Sequence, residues 1–416
     1  MIEPYDWQHE YLQHVEDRFG WWAGVGCGKT IMALWLAKMR GAKHVLILCK
    51  KDLVYNWEVW AERIGIKVTV VSKEQFKKAV KERGVEDLPE ADCVIIDEAH
   101  YWAMYTSQLF KCTIAYLTHN KPKIIWLLTG TPYMSSPWNL FSMKMLLGKN
   151  MNWYEFRKEF FVSIKMGPRF IWQPRKDRET VDKIVNGFDT IGRTMLLEDN
   201  VNMPPILEPV EFFQLTSSQI KAIRGIDDIL PIQVINKRYQ IENGTLKGDE
   251  YTPHATFTSD KFDRACDIIQ QEGRIAVVCR HTLEINRFHD FIVANMPEKK
   301  VVLLTGATKD KAAEVEVIRQ NPDDQFVILI NGGVSEGYGL ETVPYILFYS
   351  MTYALKDWVQ LRGRLARGKE VEQQKSLTYH RLIVGGPKSV DMAVHENIIT
   401  KNRDFQVELF NKDYET

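Results

Sequence analysis

Two series of short apolar runs constrain the fold of this chain more than any other feature. The first is His44–Cys49, Val68–Val71, Cys93–Ile96 and Ile124–Leu128; the second is Ile275–Val278, Val301–Leu304, Phe326–Ile330 and Tyr345–Phe348. Runs of this length that lack alternation, and that are separated by polar or helical stretches, are expected of strands buried on both faces of a parallel sheet. Two α/β lobes in tandem follow, one over residues 1–205 and one over 206–416, with Pro204-Pro205 marking the passage between them. Between roughly Tyr133 and Asp260 the strand rhythm fails, and in its first part aromatic and basic residues mix (Trp153, Tyr154, Phe156, Arg157, Lys158, Phe160, Phe161), which predicts a helical insertion over about 133–200. Asn243 to Thr258, with Gly244, Gly248 and Pro253, reads as an exposed loop. The tail from Gly368 to Thr416 carries no recognisable extra module.

Lys+Arg and Asp+Glu number 54 each, so the chain does not advertise a polyanionic partner, and any basic track must be local. No stretch approaches the roughly 18 apolar residues that a membrane span needs, and the N-terminus has no secretory pattern. The six cysteines include no C-x-x-C pair, so reduced thiols are expected rather than zinc or a disulfide framework.

Chemistry enters with Ala23-Gly24-Val25-Gly26-Cys27-Gly28-Lys29-Thr30. The general phosphate-loop pattern G-x-x-x-x-G-K-[ST] is missed at its first position, where Ala23 stands, and A-x-x-G-x-G-K-[ST] fits completely. Gly24, Gly26 and Gly28 would let backbone N–H groups close around phosphate oxygens at a helix N-terminus. Lys29 would reach the β- and γ-phosphates, and Thr30 would place its hydroxyl on Mg²⁺. Further on, Val94-Ile95-Ile96 delivers Asp97-Glu98-Ala99-His100. A strand that ends in two acids suits the second half of such a site, with Asp97 holding Mg²⁺ and Glu98 acting as general base on water. ATP and Mg²⁺ are therefore the expected cofactors.

Asp97-Glu98-Ala99-His100 resembles the DEAH box of superfamily-two helicases, whose own phosphate loop is the A-x-x-G-x-G-K-T variant. Leu127-Leu128-Thr129-Gly130-Thr131-Pro132 is similar to the coupling motif of that family, which gives Thr129 and Thr131 the relay of nucleotide state. Pro4-Tyr5 and Gln8 resemble its adenine-reading segment P-Y-Q, although Asp6-Trp7 shift the register. Gln360-Leu361-Arg362-Gly363-Arg364-Leu365-Ala366-Arg367 matches Q-x-x-G-R-x-x-R. That match makes Arg364 and Arg367 arginine fingers for the γ-phosphate and gives Gln360 a coupling role. In Asn331–Leu340, Gly337 and Gly339 correspond to backbone that approaches DNA phosphate and nucleotide. Lys50, Lys51, Arg280, His281, Thr305 and Thr308 fall on segments that resemble nucleic-acid contacts, although paired surface lysines are ordinarily just solvated. Asn56-Trp57 and Leu140-Phe141 are similar to Snf-type remodelling ATPases, from which Glu336 and Glu341 depart.

The resemblance runs from Pro4 to Arg367. It implies two RecA-like lobes with parallel sheets, an ATP site in the cleft between them, and an ATP-dependent DNA translocase or helicase. The partner would be single-stranded, duplex or branched DNA, and the protein a monomer with no membrane association. Its minimal size suits a phage or prokaryotic enzyme acting in the cytoplasm, which for a phage is that of the bacterial host. The rival readings are a DEAH-type RNA helicase, a packaging motor, and a nucleotide-switched binding protein with weak turnover. The aromatics Trp153, Phe160, Phe161 and Trp172 suit either a wedge or stacking surface or, more ordinarily, a core.

Overall fold

The computed structural model describes residues 3–399 except 134–135, 167–168, 176, 227–229, 249–253, 333–338, 354, 366–368 and 387. The chain divides into two compact units, one reaching Asn200 and the other beginning at Val201. Each is a parallel α/β lobe, the architecture expected.

In the first unit the main strands are β1 (Arg18–Ala23), β2 (Val45–Cys49), β3 (Val68–Ser72), β4 (Cys93–Asp97) and β5 (Ile124–Leu128). A hairpin, β6 (Phe161–Met166) and β7 (Arg169–Pro174), follows, and then β8 (Gly192–Met195). The sheet order is β3-β2-β4-β5-β1-β8, with every pair parallel. β2, β4 and β5 are buried at every residue, which is why they read as unbroken apolar runs. β1, the strand that leads into the phosphate loop and lies between β5 and β8, carries no unbroken apolar run; Phe19-Gly20-Trp21-Trp22-Ala23 is wholly buried, yet a glycine interrupts its pattern.

That glycine has a steric reason. Gly20 pairs with Gly192 of β8, and the Trp22 ring lies across both. A Cβ on Gly192 would sit 2.3 Å from the Gly20 carbonyl oxygen, and one on Gly20 would sit 2.1 Å from the indole. The Trp22 indole N–H donates to the Phe188 carbonyl at 3.1 Å, fixing the ring in place.

The expected helical insertion needs correction. Helices do occupy Trp138–Leu146, Trp153–Phe160 and Arg178–Asp189, but β6 and β7 form an antiparallel hairpin and β8 completes the main sheet. β8 buries only Gly192 and Met195, and the hairpin is largely exposed, so neither produces an apolar run.

The second unit contains β9 (Ile206–Leu207), β10 (Val210–Phe213), β11 (Thr245–Leu246), β12 (Ala255–Thr256), β13 (Arg274–Cys279), β14 (Lys300–Leu304), β15 (Phe326–Asn331), β16 (Tyr345–Phe348) and β17 (Leu377–Val384). Its sheet runs β10-β17-β16-β13-β15-β14 with parallel pairs, and β9 adds to β17. The tail therefore holds more than the sequence suggested: β17 is buried at all eight positions. His380 and Arg381 disguise it, and they are accommodated because Glu211 stands 3.0 Å from His380 and Glu208 stands 3.5 Å from Arg381. The supposed exposed loop after residue 242 is also partly internal. Asn243 and Thr245 are buried, and β11 pairs with β12.

Candidate functional site

β1 ends at Ala23, and the chain turns through the glycine-rich loop into the helix Lys29–Met39. Gly26 and Gly28 adopt φ of 88° and 80°, left-handed backbone that β-carbon-bearing residues rarely take. Gly28 is the N-cap, and a Cβ there would stand 2.6 Å from the Gln8 amide nitrogen. The loop is thus shaped by backbone, with a helix N-terminus behind it, which is the geometry of an anion cradle. Two neighbours pin it. Gly24 N–H donates to the Met195 carbonyl of β8 at 2.8 Å, and Gln8 Nε2 donates to the Cys27 carbonyl at 2.9 Å while its Oε1 accepts from Tyr5 N–H at 2.8 Å. Gln8 is buried against the loop, with part of its amide spent on that fastening. Cys27 Sγ lies 3.5 Å from the Met195 carbonyl, and burial pushes the thiol up to about 12, so it is no nucleophile.

Lys29 Nζ donates to the Ala23 and Gly24 carbonyls at 2.8 and 3.0 Å, which places the ammonium at the mouth of the loop. Its charge also acts on Asp97 at the end of β4. Asp97 is buried. Loss of solvent, and then the neighbouring Glu98 carboxylate, push its carboxyl well above the usual range. The Trp57 N–H, the Lys29 ammonium and the Glu98 N–H oppose that rise. Trp57 Nε1 donates to Asp97 Oδ2 and Glu98 N–H donates to Oδ1, both at 2.9 Å. A carboxylate that burial disfavours and only neutral N–H donors touch directly is chemically suited to a cation.

Glu98 takes φ 48° and ψ 52°, left-handed backbone for a residue with a side chain. Such strain gathers at working sites. Here it turns the carboxylate toward His100, whose Nδ1 lies 3.2 Å from Glu98 Oε2. The same nitrogen lies 3.1 Å from Thr129 Oγ1 and 3.4 Å from Thr131 Oγ1, and Thr131 N–H donates to Thr129 Oγ1 at 3.1 Å. A carboxylate beside Nδ1 favours the tautomer that carries its proton there. The acidic box and the exit of β5 are therefore joined by one buried imidazole.

The structure brings together Gln8, Gly24, Gly26, Gly28, Lys29, Thr30, Asp97, Glu98, Thr129 and Thr131 around the ends of β1, β4 and β5. The sequence marks Trp57 only as part of an Asn-Trp resemblance and carries no sign of its contact with Asp97. Met195, which anchors the loop, lay in the supposed insertion. Neither residue type signals such a role, since both act through distant chain contacts.

In the second unit Gln360 and Arg364 are buried on the helix Leu355–Leu365, one turn apart, and the Arg364 carbonyl accepts from Leu340 N–H at 2.9 Å. Arg367 and Gly337 lie outside the described residues. Arg280 is half-buried with its guanidinium 5.1 Å from the Tyr239 ring centroid, and its N–H donates to Ser350 Oγ at 2.7 Å. His281 is the N-cap of the helix Thr282–Asn295, and burial, then Arg280, lowers its pKa to about 4, so it is neutral near pH 7. Any contact it makes with a phosphate is a neutral one. Thr305 and Thr308 close the turn after β14, where Thr308 Oγ1 donates to the Leu303 carbonyl at 2.7 Å. In the first unit Lys51 is exposed and Lys50 half-buried.

No protein-family model and no curated protein sequence matches the chain. Among solved structures it is similar to the Sulfolobus solfataricus SWI2/SNF2 ATPase core in complex with dsDNA, at 18% identity and a TM-score of 0.42, covering 98% of this chain and 96% of that one. It is also similar to the Sulfolobus solfataricus SWI2/SNF2 ATPase core domain, at 18% identity and a TM-score of 0.41, covering 97% of this chain and 91% of that one.

Proposed function

We propose that the chain is a DNA-dependent ATPase that couples hydrolysis to movement along DNA. The observation that carries this reading is the pair of buried Asp97 and half-buried Glu98, which lies beside Lys29 of a left-handed glycine loop and is joined through His100 to Thr129 and Thr131.

The residues fit a nucleotide with its cation. The loop backbone and Lys29 would bind the phosphates, Gln8 would read an adenine edge with what its fastening to the loop leaves free, and Thr30 and Asp97 would hold Mg²⁺. The cation, when bound, neutralises phosphate charge in the transition state. Glu98 orients and deprotonates the attacking water. His100 holds the Glu98 carboxylate, so a change in charge there is felt at Thr129 and Thr131. In this reading Arg364 and Arg367 supply the further positive charge that phosphoryl transfer requires, and Gln360 couples their helix to nucleotide state. DNA, rather than RNA, is favoured by the Snf-like Asn56-Trp57 and the Q-x-x-G-R-x-x-R run. Grip on phosphates would make binding weak in sequence preference and strongly dependent on salt.

The test is steady-state ATP turnover with no nucleic acid, duplex DNA, single-stranded DNA and RNA in parallel. Stimulation by DNA is expected, lost in Lys29→Ala. Stimulation by RNA alone would favour the RNA-helicase reading. Tight nucleotide binding with no turnover under any condition would leave a nucleotide-switched binding protein.

A further inference from the structure

The β6–β7 hairpin has no place in the ATP chemistry and is built unlike the rest of the first unit. Tyr154, Val162, Ile164, Phe170 and Trp172 are all exposed large apolar side chains, at 69, 41, 38, 65 and 41%. The strand register fixes two faces. Ser163 pairs with Trp172 and Lys165 with Phe170 on one, while Val162 pairs with Gln173 and Ile164 with Ile171 on the other. A two-stranded ribbon that leaves apolar groups uncovered on both sides is marginal in water on its own. Elsewhere in the unit, side chains of this size are mostly buried. Phe160 and Phe161, at the hairpin's base, are among them, which divides the four aromatics of uncertain role into two core residues and two that are not fully buried.

The charge of the segment points to what would cover it. Residues 161–175 contain three basic side chains, Lys165, Arg169 and Arg175, and no acid, in a chain whose charges balance as a whole. At the base, the Arg157 guanidinium lies 4.1 Å from the Trp153 ring centroid and 4.2 Å from that of Trp172, holding a cation between two indoles. Aromatic faces spaced along a basic ribbon match a strand that alternates flat bases with phosphates; a protein partner would require no such excess of cations.

We infer that the face of this hairpin carrying Lys165, Phe170 and Trp172, continued by Arg157, binds an unpaired DNA strand, its bases stacking on the two rings and its phosphates meeting the cations. This rests on the reading of the chain as a DNA-dependent ATPase and assigns the contact that distinguishes unpaired from paired bases, since a ring can stack only on a base whose face is free.

The experiment measures binding of a fluorescently labelled thymidine oligonucleotide and of a duplex by anisotropy, alongside ATP turnover without DNA, for the full chain and for Phe170→Ala, Trp172→Ala and Lys165→Gln. Loss of one stacked base should weaken oligonucleotide binding roughly tenfold per ring, with a smaller loss for Lys165→Gln, less change on duplex, and unchanged DNA-free turnover. Trp172→Phe keeps a stacking ring and should restore most of the affinity, whereas Trp172→Leu keeps apolar bulk without one and should not. Unchanged oligonucleotide affinity in Phe170→Ala and Trp172→Ala, with duplex DNA still stimulating turnover, would overturn the hairpin assignment and leave the ATPase reading standing. Absence of any DNA binding or stimulation in the parent chain would instead overturn that reading and this inference with it. A sedimentation shift from dimer to monomer in Phe170→Ala, at constant oligonucleotide affinity, would mark the hairpin as a seat for a second copy and equally overturn the proposal.

Discussion

Both units bury carboxylates, and Asp391 and Glu242 of the second are treated in the opposite way to Asp97 of the first. In the second unit Asp391 Oδ2 accepts from Lys261 Nζ at 2.6 Å and from Val384 N–H at 2.8 Å, and the ammonium also donates to Asn243 Oδ1 at 2.5 Å. Glu242, fully buried, accepts from Val390 and Asp391 N–H at 2.9 Å each, and from Arg238 and Ser389, so that it caps the helix over 390–399. Each of these acids has a cation or a helix N-terminus against it. In the first unit Asp97 is equally hidden, but its direct contacts are two neutral N–H groups, and a second acid lies next to it. Asp391 and Glu242 are compensated inside the fold, whereas Asp97 has no cation in direct contact, as the proposed Mg²⁺ site requires.

The comparison can be broken most severely at Glu98. Glu98→Gln keeps the size and the contact with His100 but removes the base. Turnover should fall by about 10²–10⁴, with nucleotide affinity and melting temperature close to those of the parent; retained turnover would remove Glu98 from its assigned role. The opposite signature is expected in the second unit. Lys261→Ala strands Asp391 in the core and should cost about 3–5 kcal/mol in denaturant unfolding. Replacing both partners, Lys261→Met with Asp391→Leu, should recover much of that loss. A cost below about 1 kcal/mol for the single change would show the pair to be dispensable to the fold.

A smaller effect sharpens the role of Trp57. Trp57→Phe preserves the buried ring and deletes the N–H on Asp97, so the Mg²⁺ concentration that supports half-maximal turnover should rise about tenfold. Changed melting with an unchanged Mg²⁺ requirement would make the contact merely structural. Smallest is the effect of Asp97 on stability. Its folded carboxyl keeps a proton that the unfolded chain has already lost, so between the ordinary carboxylate range and its raised value the ligand-free protein should lose stability as pH rises. Asp97→Asn should flatten that slope and stabilise the ligand-free chain by on the order of 1 kcal/mol at neutral pH, as read from melting curves. Mg²⁺ with nucleotide should stabilise the parent more at pH 8 than at pH 6, and the variant equally little at both.

Much of this arrangement is legible in the sequence. The eight apolar runs are all strands; the apolar residues of β2, β4, β5, β13 and β15 are buried throughout because a parallel strand covered on both faces must be apolar, whereas β3 and β14, at the sheet edges, are partly exposed. The glycine loop and the acidic pair were legible because left-handed turns and paired carboxylates demand particular residue types. What hid from the sequence were elements whose neighbours supply the compensation. β17 holds His380 and Arg381 in a sheet interior because Glu211 and Glu208 meet them. β1 holds Gly20 because an indole and Gly192 fill its space. The β6–β7 hairpin exposes apolar groups that, by periodicity alone, belonged to helices in a core.

The sequence by itself determined the two parallel α/β lobes and the residue types around the phosphate loop, because local backbone geometry and burial on both faces leave few alternatives. Only the tertiary structure decided that Trp57 meets Asp97, that Met195 anchors the loop through Gly24, and that His100 joins Glu98 to two threonines. Those contacts join segments far apart along the chain, and no periodicity or spacing within one segment encodes which distant group will complete a buried hydrogen bond.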